Sequence, residues 1–364
     1  MTKVLVVDDS ALMRKLLARI FSKEADFEVQ LARNGLEALE LVAAFRPDVV
    51  TLDIHMPQMD GLACLDRIMI EHPCPVVMVS SLTAEGAEVT LQALRLGAID
   101  FVAKPEGAIS LHIDELTDEL ITKVRAASTA RIRSSARLKE RVRHRIGRDA
   151  PGIHREEGHR EPVRRDSREP RRAVGEGLVL VGTSTGGPPA LEALLTALPA
   201  DFRWPIVVAQ HMPPTFTGAL ARRLNGVSAL SVVEVVRTLQ LQPGCAYIGK
   251  GDADLAIDRR ASSLVVVPVR SQADYPWHPS TNRLVRSAMD HVSPAQIVGV
   301  LMTGMGTDGA EAMALLHARG GRTIAEAEET AVVWGMPGEL VKAGGADWVL
   351  PLPEIAGWLK KLVP

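Results

Sequence analysis

Short apolar runs alternate with helical patterns over the first 123 residues, and this alternation limits the possible folds more than any other feature of the chain. Runs of only four or five residues are typical of strands that are covered on both faces. Strands that alternate with helices form a parallel sheet, because each helix supplies the crossover to the next strand. We predict strands at 4–7, 49–52 and 76–79, weaker strands near 28–32 and 101–103, and helices at 11–21, 36–45, 62–70 and 113–124.

A second alternation of the same kind begins at residue 178 and continues to the end of the chain. It predicts another doubly wound parallel α/β sheet, with helices on both faces. Within it, Gly244, Gly249 and Gly251 separate short runs, so the segment 243–260 is predicted to be an inserted β-hairpin. We predict strands at 178–181, 206–209, 231–236, 264–267 and 297–302, and helices at 188–198, 216–224, 281–292, 308–318 and 353–362.

The segment between the two alternations is strongly basic. Residues 124–172 contain 16 Lys and Arg against 7 Asp and Glu, and almost no large apolar side chain follows Ile153. Such a segment cannot build a core, so we predict a solvated linker that is helical only at its start. The predicted domains are therefore 1–123 and 173–364, joined by the linker 124–172.

Composition excludes several classes of protein. The formal net charge of −2 and the 4% aromatic content argue against a nucleic-acid-binding surface. No apolar stretch reaches the 18 to 20 residues of a membrane span, and the N-terminal apolar run is too short for a secretory signal. Cys64, Cys74 and Cys245 form no C-x-x-C pair, which argues against zinc and against a disulfide framework. We expect a cytoplasmic protein that does not insert into membranes.

Charged residues follow the strands of the first predicted sheet. Asp8 and Asp9 follow the first strand, Asp53 the third, Ser80 the fourth and Lys104 the fifth. The carboxyl ends of parallel strands share one edge, where ligands bind. Three carboxylates at that edge require a cation, and Mg²⁺ suits such oxygen ligands. Asp53 then has the surroundings of a nucleophile toward phosphorus, with Lys104 stabilising the transferred group.

The segments VLVVDDS, TLDIHMPQMDG, MVSS and FVAKP resemble the signatures of response-regulator receiver domains. The resemblance covers residues 1–123 and implies a flavodoxin-like fold of five parallel strands. It implies that Asp53 is phosphorylated and that Asp8 and Asp9 hold Mg²⁺, together with the backbone carbonyl of His55. It also implies switch positions for Ser80 and Phe101 and a phosphate-pairing role for Lys104.

The segment Gly182–Gly187 has the G-x-S-x-G pattern of a nucleophile on a sharp turn between a strand and a helix, with Ser184 as the nucleophile. A glycine-rich turn of this kind can instead hold a phosphate. The next strand ends at Gln210-His211 rather than at the acidic residue expected of a dinucleotide site. His211 is therefore the predicted general base, and His278 is its one serious competitor.

Asp308 is the predicted group that orients the imidazole, because it follows the strand 297–302 directly. Asp252, Asp254 and Asp290 are alternatives, and Asp308 could simply cap the helix that it begins. The chain order Ser, His, Asp differs from that of α/β-hydrolases, so the pattern does not predict that fold. The residues by themselves favour a serine hydrolase over a phosphate-binding or purely structural sheet edge.

The segments LVGTSTGGP, AQHMP, MTGMGTDGA and VWGMPG resemble the protein-glutamate methylesterase domain of chemotaxis, and the whole chain resembles the CheB family. The resemblance implies a Rossmann-like hydrolytic domain in which Ser184, His211 and Asp308 act together and the N–H groups of Thr185 and Met305 bind the oxyanion. It implies hydrolysis of γ-glutamyl methyl esters, and deamidation of glutamines, on methyl-accepting chemoreceptors. A chemotaxis-type sensor histidine kinase is the implied phosphodonor, and no cofactor is implied for the hydrolysis.

Three positions depart from the family pattern: the segment 251–254 lacks a histidine, Asn282 replaces an aspartate, and Glu326 replaces a glutamine. They lie outside the predicted triad, so they bear on the choice of receptor. Two rival functions are a regulated binding module and a DNA-binding response regulator. Intact Ser184, His211 and Asp308 argue against the first, and the net charge of the second domain argues against the second. We expect the unphosphorylated receiver to cover the edge that contains Ser184.

Overall fold

The structure is a computed structural model that describes residues 1–81, 83–104, 113–130 and 177–363. Most of the predicted linker, residues 131–172, lies outside the described residues. The start of that linker is the end of a helix, because the last helix of the N-terminal domain continues to Ser128.

The N-terminal domain contains a parallel five-stranded sheet, as predicted, and its strand order is β2-β1-β3-β4-β5. Its central strands are buried on both faces, which explains their unbroken apolar runs. The strands are β1 (Thr2–Val7), β2 (Phe27–Ala32), β3 (Val49–Asp53), β4 (Val76–Ser80) and β5 (Asp100–Ala103), and the helices are α1 (Ala11–Ser22), α2 (Gly35–Phe45), α3 (Gly61–Glu71), α4 (Ala84–Leu96) and α5 (Ile113–Ser128).

The C-terminal domain contains a parallel seven-stranded sheet, in the order β15-β14-β13-β6-β7-β10-β8, which confirms the predicted α/β class. Its strands are β6 (Leu178–Thr183), β7 (Ile206–Gln210), β8 (Ser231–Val235), β10 (Cys245–Gly249), β13 (Ile297–Leu301), β14 (Arg322–Glu326) and β15 (Trp348–Leu350). The helices are α6 (Gly187–Thr196), α7 (Pro214–Val227), α8 (Thr281–His291), α9 (Ala310–Ala318), α10 (Met336–Lys342) and α11 (Leu352–Leu362). Among the described residues, no helix is both long and apolar enough to cross a membrane.

The inserted hairpin exists, but its predicted position at 243–260 was wrong. Its arms are β11 (Ala253–Arg260) and β12 (Ser263–Arg270), which pair antiparallel, and β9 (Leu239–Gln240) extends them into a small second sheet. The first part of the predicted hairpin, β10, instead pairs in parallel with β7 and β8. The glycines suggested the turn too early, because the hairpin reverses at Ala261, a residue with a positive φ of 53°.

Strand pairing determines which residues meet at the edge of the large sheet. β6 lies between β7 and β13, with Thr183 opposite Gln210 and Gly182 opposite Leu301. The residues that follow β6, β7 and β13 therefore lie next to one another at the carboxyl edge of the sheet. The same parallel pairing in the five-stranded sheet of the N-terminal domain places the ends of β1 and β3 side by side.

We predict that two leucines of α1 differ sharply in their contribution to stability. Leu17 is buried in the core of the N-terminal domain, whereas Leu12 is 63% exposed. Leu17→Ala should lower the free energy of unfolding by about 2–5 kcal/mol, because it leaves a cavity. Leu12→Ala should change it by no more than about 0.5 kcal/mol. Urea denaturation of the full chain measures both, and equal losses would contradict the packing described here.

Candidate functional site

Ser184 lies on a sharp turn between β6 and α6. Its backbone N–H donates to the carbonyl oxygen of Thr303 at 3.0 Å, and its own carbonyl accepts from the N–H of Gly187 at 2.8 Å. Gly186 has a φ of +78°, and a Cβ at that position would lie 2.7 Å from the side chain of Val332. Glycine is therefore required there, because both the backbone conformation and the available space exclude a side chain.

His211 follows β7 and is the neighbour of Ser184 across the sheet edge. Its N–H donates to the carbonyl oxygen of Thr183 at 3.1 Å, which continues the parallel pairing by one residue. The buried Gln210 side chain donates to the carbonyl oxygens of Ser184 and His211, at 3.0 and 2.9 Å. A single amide thus holds the two chain segments in register. Sequence reasoning used Gln210 only to argue against a nucleotide site.

Asp308 is buried and accepts four hydrogen bonds from two chain segments, His211 after β7 and residues 280–282 at the start of α8. The Nε2 atom of His211 lies 2.9 Å from its Oδ2 atom. The N–H groups of Thr281 and Asn282, and the hydroxyl of Ser280, donate to it at 2.6 to 3.0 Å. Asp308 therefore satisfies donors at the start of α8 and does not cap its own helix, which begins at Ala310.

These donors also determine the charge of Asp308. Burial by itself raises the pKa of a carboxyl group, but the hydrogen bond and charge of His211 and the two backbone donors outweigh it, so the pKa of Asp308 lies below its ordinary value. An ionised carboxylate can only accept, so Nε2 of His211 carries the proton and donates a hydrogen bond to Asp308. The other ring nitrogen, Nδ1, is buried and has no hydrogen-bond partner in the described parts of the chain.

The rival residues of the sequence analysis form a separate pair. Nδ1 of His278 lies 2.9 Å from the fully buried Asp254, which also accepts from the N–H of Ser280 and from Arg283. His278 and Asp254 thus hold the segment that leads into α8. The remaining alternatives, Asp252 and Asp290, are exposed.

The loop that follows β13 completes the edge of the sheet. The N–H of Thr303 donates to the buried carboxylate of Glu326 at 2.7 Å, and its hydroxyl donates to the carbonyl oxygen of Thr185 at 2.9 Å. Sequence reasoning noted Glu326 as a departure and did not find its contact with this loop, because the two segments meet only through the pairing of β13 with β14. Within the described ranges, the N–H groups of Thr185 and Met305 have no acceptor.

A cleft of about 320 Å³ opens beside Asp308. Trp277 forms one wall and stacks on the ring of His211, with 5.7 Å between ring centroids and 11° between planes. The other residues that line the cleft are Asp274, Tyr275, Pro276, Asn282, Arg286, Thr307 and Glu311.

The predicted acidic residues at the edge of the five-stranded sheet also converge. Carboxylate oxygens of Asp8, Asp9 and Asp53 lie within 4.8 Å of one another. Nζ of Lys104 lies 2.9 Å from Asp8 and 2.8 Å from Asp53. Burial raises the pKa of Asp53, Lys104 lowers it and the charge of Asp8 raises it further, so the pKa is above its ordinary value. Three carboxylates this close together supply the oxygen ligands that Mg²⁺ prefers.

Three further predicted residues lie around this pocket. Ser80 is buried, and its hydroxyl accepts from the hydroxyl of Thr90 at 2.8 Å. His55 is exposed. Phe101 is buried, and its ring lies 4.3 Å from the ring of Phe216, which belongs to the C-terminal domain.

The contact between Phe101 and Phe216 is one of several that connect the two domains. The hydroxyl of Thr185, the residue after Ser184, donates to the carboxylate of Asp100 at the start of β5. Asp100 also lies 3.5 Å from Nζ of Lys123. Nearby, Arg95 of α4 lies 3.6 Å from Glu192 of α6. The N-terminal domain therefore contacts the very turn that holds Ser184.

An acidic phosphorylation-type pocket joined to a domain with a serine, histidine and aspartate at one sheet edge is typical of a response regulator with a hydrolase output. Comparison with known proteins agrees. Residues 4–114 match the model of the response regulator receiver domain, and residues 179–359 match that of CheB methylesterase.

Similar proteins extend over the whole chain. A protein-glutamate methylesterase/protein-glutamine glutaminase of Rhodopseudomonas palustris is 56% identical over 98% of this chain and 96% of its own length. One from Rhodospirillum rubrum is 54% identical over 99% and 95%. The crystal structure of the Thermotoga maritima CheB methylesterase catalytic domain is 37% identical, with a TM-score of 0.50, and covers 52% of this chain and all of that one. The chain belongs to the CheB family.

We predict that Asp308 stabilises the fold only while it is ionised. Its folded pKa is depressed, so its contribution is present above the ordinary carboxyl pKa of about 3.9 and is lost as the pH falls through the folded value. Asp308→Asn should therefore be less stable than wild type at pH 7, and the difference should shrink below about pH 4. Urea denaturation between pH 3 and 7 measures it, with exposed Asp118→Asn as the control. A difference that grows on acidification would contradict the assigned charge.

Proposed function

We propose that this protein is a phosphorylation-regulated protein-glutamate methylesterase that also deamidates glutamines. Methyl-accepting chemoreceptors are its substrates, and a chemotaxis-type sensor histidine kinase is its phosphodonor. The observation that carries the proposal is the buried pair of His211 and Asp308 beside the Ser184 turn. The names of the relatives that match nearly the whole chain support the same reaction.

The geometry supports a role for each residue of the site. Ser184 attacks the γ-carbonyl carbon of the ester, and Nδ1 of His211 takes the hydroxyl proton, because Asp308 holds Nε2. The N–H groups of Thr185 and Met305 stabilise the oxyanion of the tetrahedral intermediate. His211 returns the proton to the leaving methoxide, which departs as methanol. Water then attacks the acyl-enzyme, with His211 again as base, and releases a glutamate carboxylate and Ser184.

The acidic pocket is the proposed site of control. Asp53 accepts the phosphoryl group, and Asp8, Asp9, Asp53 and the backbone carbonyl of His55 hold Mg²⁺. The metal, when bound, neutralises charge on the transferred oxygens. Lys104, already 2.8 Å from Asp53, pairs with the phosphoryl group. The convergence of three carboxylates, two of which pair with Lys104, supports this assignment.

Phosphorylation acts, in this proposal, through the contacts between the domains. Ser80 takes the phosphoryl group as a new hydrogen-bond partner, which disturbs its bond with Thr90. Phe101 then shifts from its place against Phe216, and the bond between Asp100 and Thr185 is released. The turn with Ser184 becomes accessible to a receptor helix.

The proposed domains are the receiver at 1–123 and the catalytic domain at 173–364, joined by the basic linker 124–172. We place the protein in the cytoplasm, which the three free cysteines support. Nucleic acid is not among the proposed partners.

The proposed reaction is tested by methanol release from a methylated chemoreceptor fragment. Ser184→Ala should reduce release by a factor of about 10³ or more, because the nucleophile is lost. Ser293→Ala, a change at an exposed serine, is the matched control and should leave the rate unchanged. Equal rates for wild type and Ser184→Ala would rule out the proposed mechanism.

Control by Asp53 is tested with a small phosphodonor. The phosphodonor should raise methanol release by wild type and by Asp118→Ala, in which an exposed carboxylate is removed. It should have no effect on Asp53→Ala. Stimulation of Asp53→Ala would show that the acceptor lies elsewhere.

The proposed inhibitory contact is tested at Arg95. Arg95→Glu places a carboxylate against Glu192, so the closed arrangement should weaken and methanol release without phosphodonor should rise about two- to fivefold. Arg67→Glu is the matched control, because Arg67 is similarly exposed and pairs with Glu71 of its own helix. If both variants behave like wild type, this contact does not hold the domains together.

A further inference from the structure

Trp277 is partly exposed to solvent and yet has a well-defined partner, the ring of His211. It is 36% exposed and is the one aromatic residue among the exposed large hydrophobic side chains of the described chain. Its ring nevertheless stacks on His211 at 5.7 Å. Its edge also borders the loop after β13, because a Cβ at Gly306 would lie 3.6 Å from the indole. The indole thus lies against both the proposed base and the segment with the proposed oxyanion donor, Met305.

The backbone around Trp277 is held firmly. The next residue, His278, bonds to Asp254, and the N–H of Ser280 bonds to the same carboxylate. The hydroxyl of Ser280 bonds to Asp308. The anchored residues after Trp277 thus position its indole over the imidazole, while 36% of the residue's surface faces solvent. An exposed aromatic surface at a fixed place beside a reactive group is typical of a ligand contact.

The chemistry of the reaction, as proposed above, indicates what that surface contacts. His211 gives a proton to the leaving group, so the leaving group comes within hydrogen-bond distance of the ring that Trp277 covers. In the ester reaction this group carries a methyl, which gains from contact with an apolar face. In the amide reaction it is an NH₂ group, which loses hydrogen bonds to water beside the same face.

We propose that Trp277 is a specificity-determining residue that favours the methyl ester over the amide. The inference rests on the proposed function, because it concerns the balance between the two reactions of that site. Trp277 contacts the methyl of the leaving group with its exposed surface while its stacked face supports His211.

The test compares two products from one receptor fragment, prepared with either the glutamyl methyl ester or glutamine at the same position. Methanol and ammonia release are measured for wild type, Trp277→Phe and Trp277→Ala, all with the phosphodonor present. In Trp277→Ala, the ratio of kcat/KM for methanol to that for ammonia should fall about fourfold, which is the effect of one methyl losing its apolar contact. Trp277→Phe should retain most of the wild-type ratio. Trp358→Ala, a change at a tryptophan near the C-terminus, should not alter it.

A merely structural role gives a different result. If Trp277→Ala slows both reactions by the same factor, Trp277 supports His211 without selecting the leaving group, and the proposal is overturned. A ratio that stays constant or rises overturns it as well. Because Trp277→Phe preserves an aromatic ring, a fall in ratio shared equally by Phe and Ala also contradicts it. Failure of the proposed function is distinct, since it appears as wild-type methanol release that does not depend on Ser184.

Discussion

A buried carboxylate must be surrounded by donors, and the catalytic domain is arranged around this requirement at Asp308. Its donors come from β7 through His211 and from the start of α8 through Ser280, Thr281 and Asn282. The residue itself follows β13. One side chain thereby joins three segments that are far apart in sequence. The same bonds orient the imidazole and keep Asp308 ionised.

The connection between the domains depends on a second buried carboxylate. Asp100 lies beside Lys123 in its own domain and accepts from Thr185 of the other. Burial lowers the pKa of Lys123, but Asp100 and Glu119 outweigh it and raise the pKa overall, so the lysine stays charged. Asp100, the residue before Phe101, thus contacts Thr185, the residue after the proposed nucleophile Ser184. The contact between the domains therefore includes a specific polar bond as well as the packing of Phe101 on Phe216.

The specificity that we propose for Trp277 involves a different part of the site. Trp277 and the cleft beside it are formed by the segment before α8, which Asp254 and His278 hold in place. Two of the three departures from the family pattern lie near this region, since Asn282 lines the cleft and Asp254, in the segment 251–254, supports its wall. The His211–Asp308 pair and the His278–Asp254 pair therefore belong to two hydrogen-bond networks that meet at Ser280.

The sequence by itself determined the two α/β folds and the residues that follow their strands. Apolar runs of strand length are local signals, and the carboxyl ends of parallel strands share an edge whatever the details of packing. The tertiary structure alone decided where the hairpin reverses, that Asp308 serves α8, that Trp277 covers His211, and that Glu326 supports Thr303. These contacts join residues distant in sequence, and each depends on strand order and on the burial of a polar or aromatic group. No local pattern contains that information.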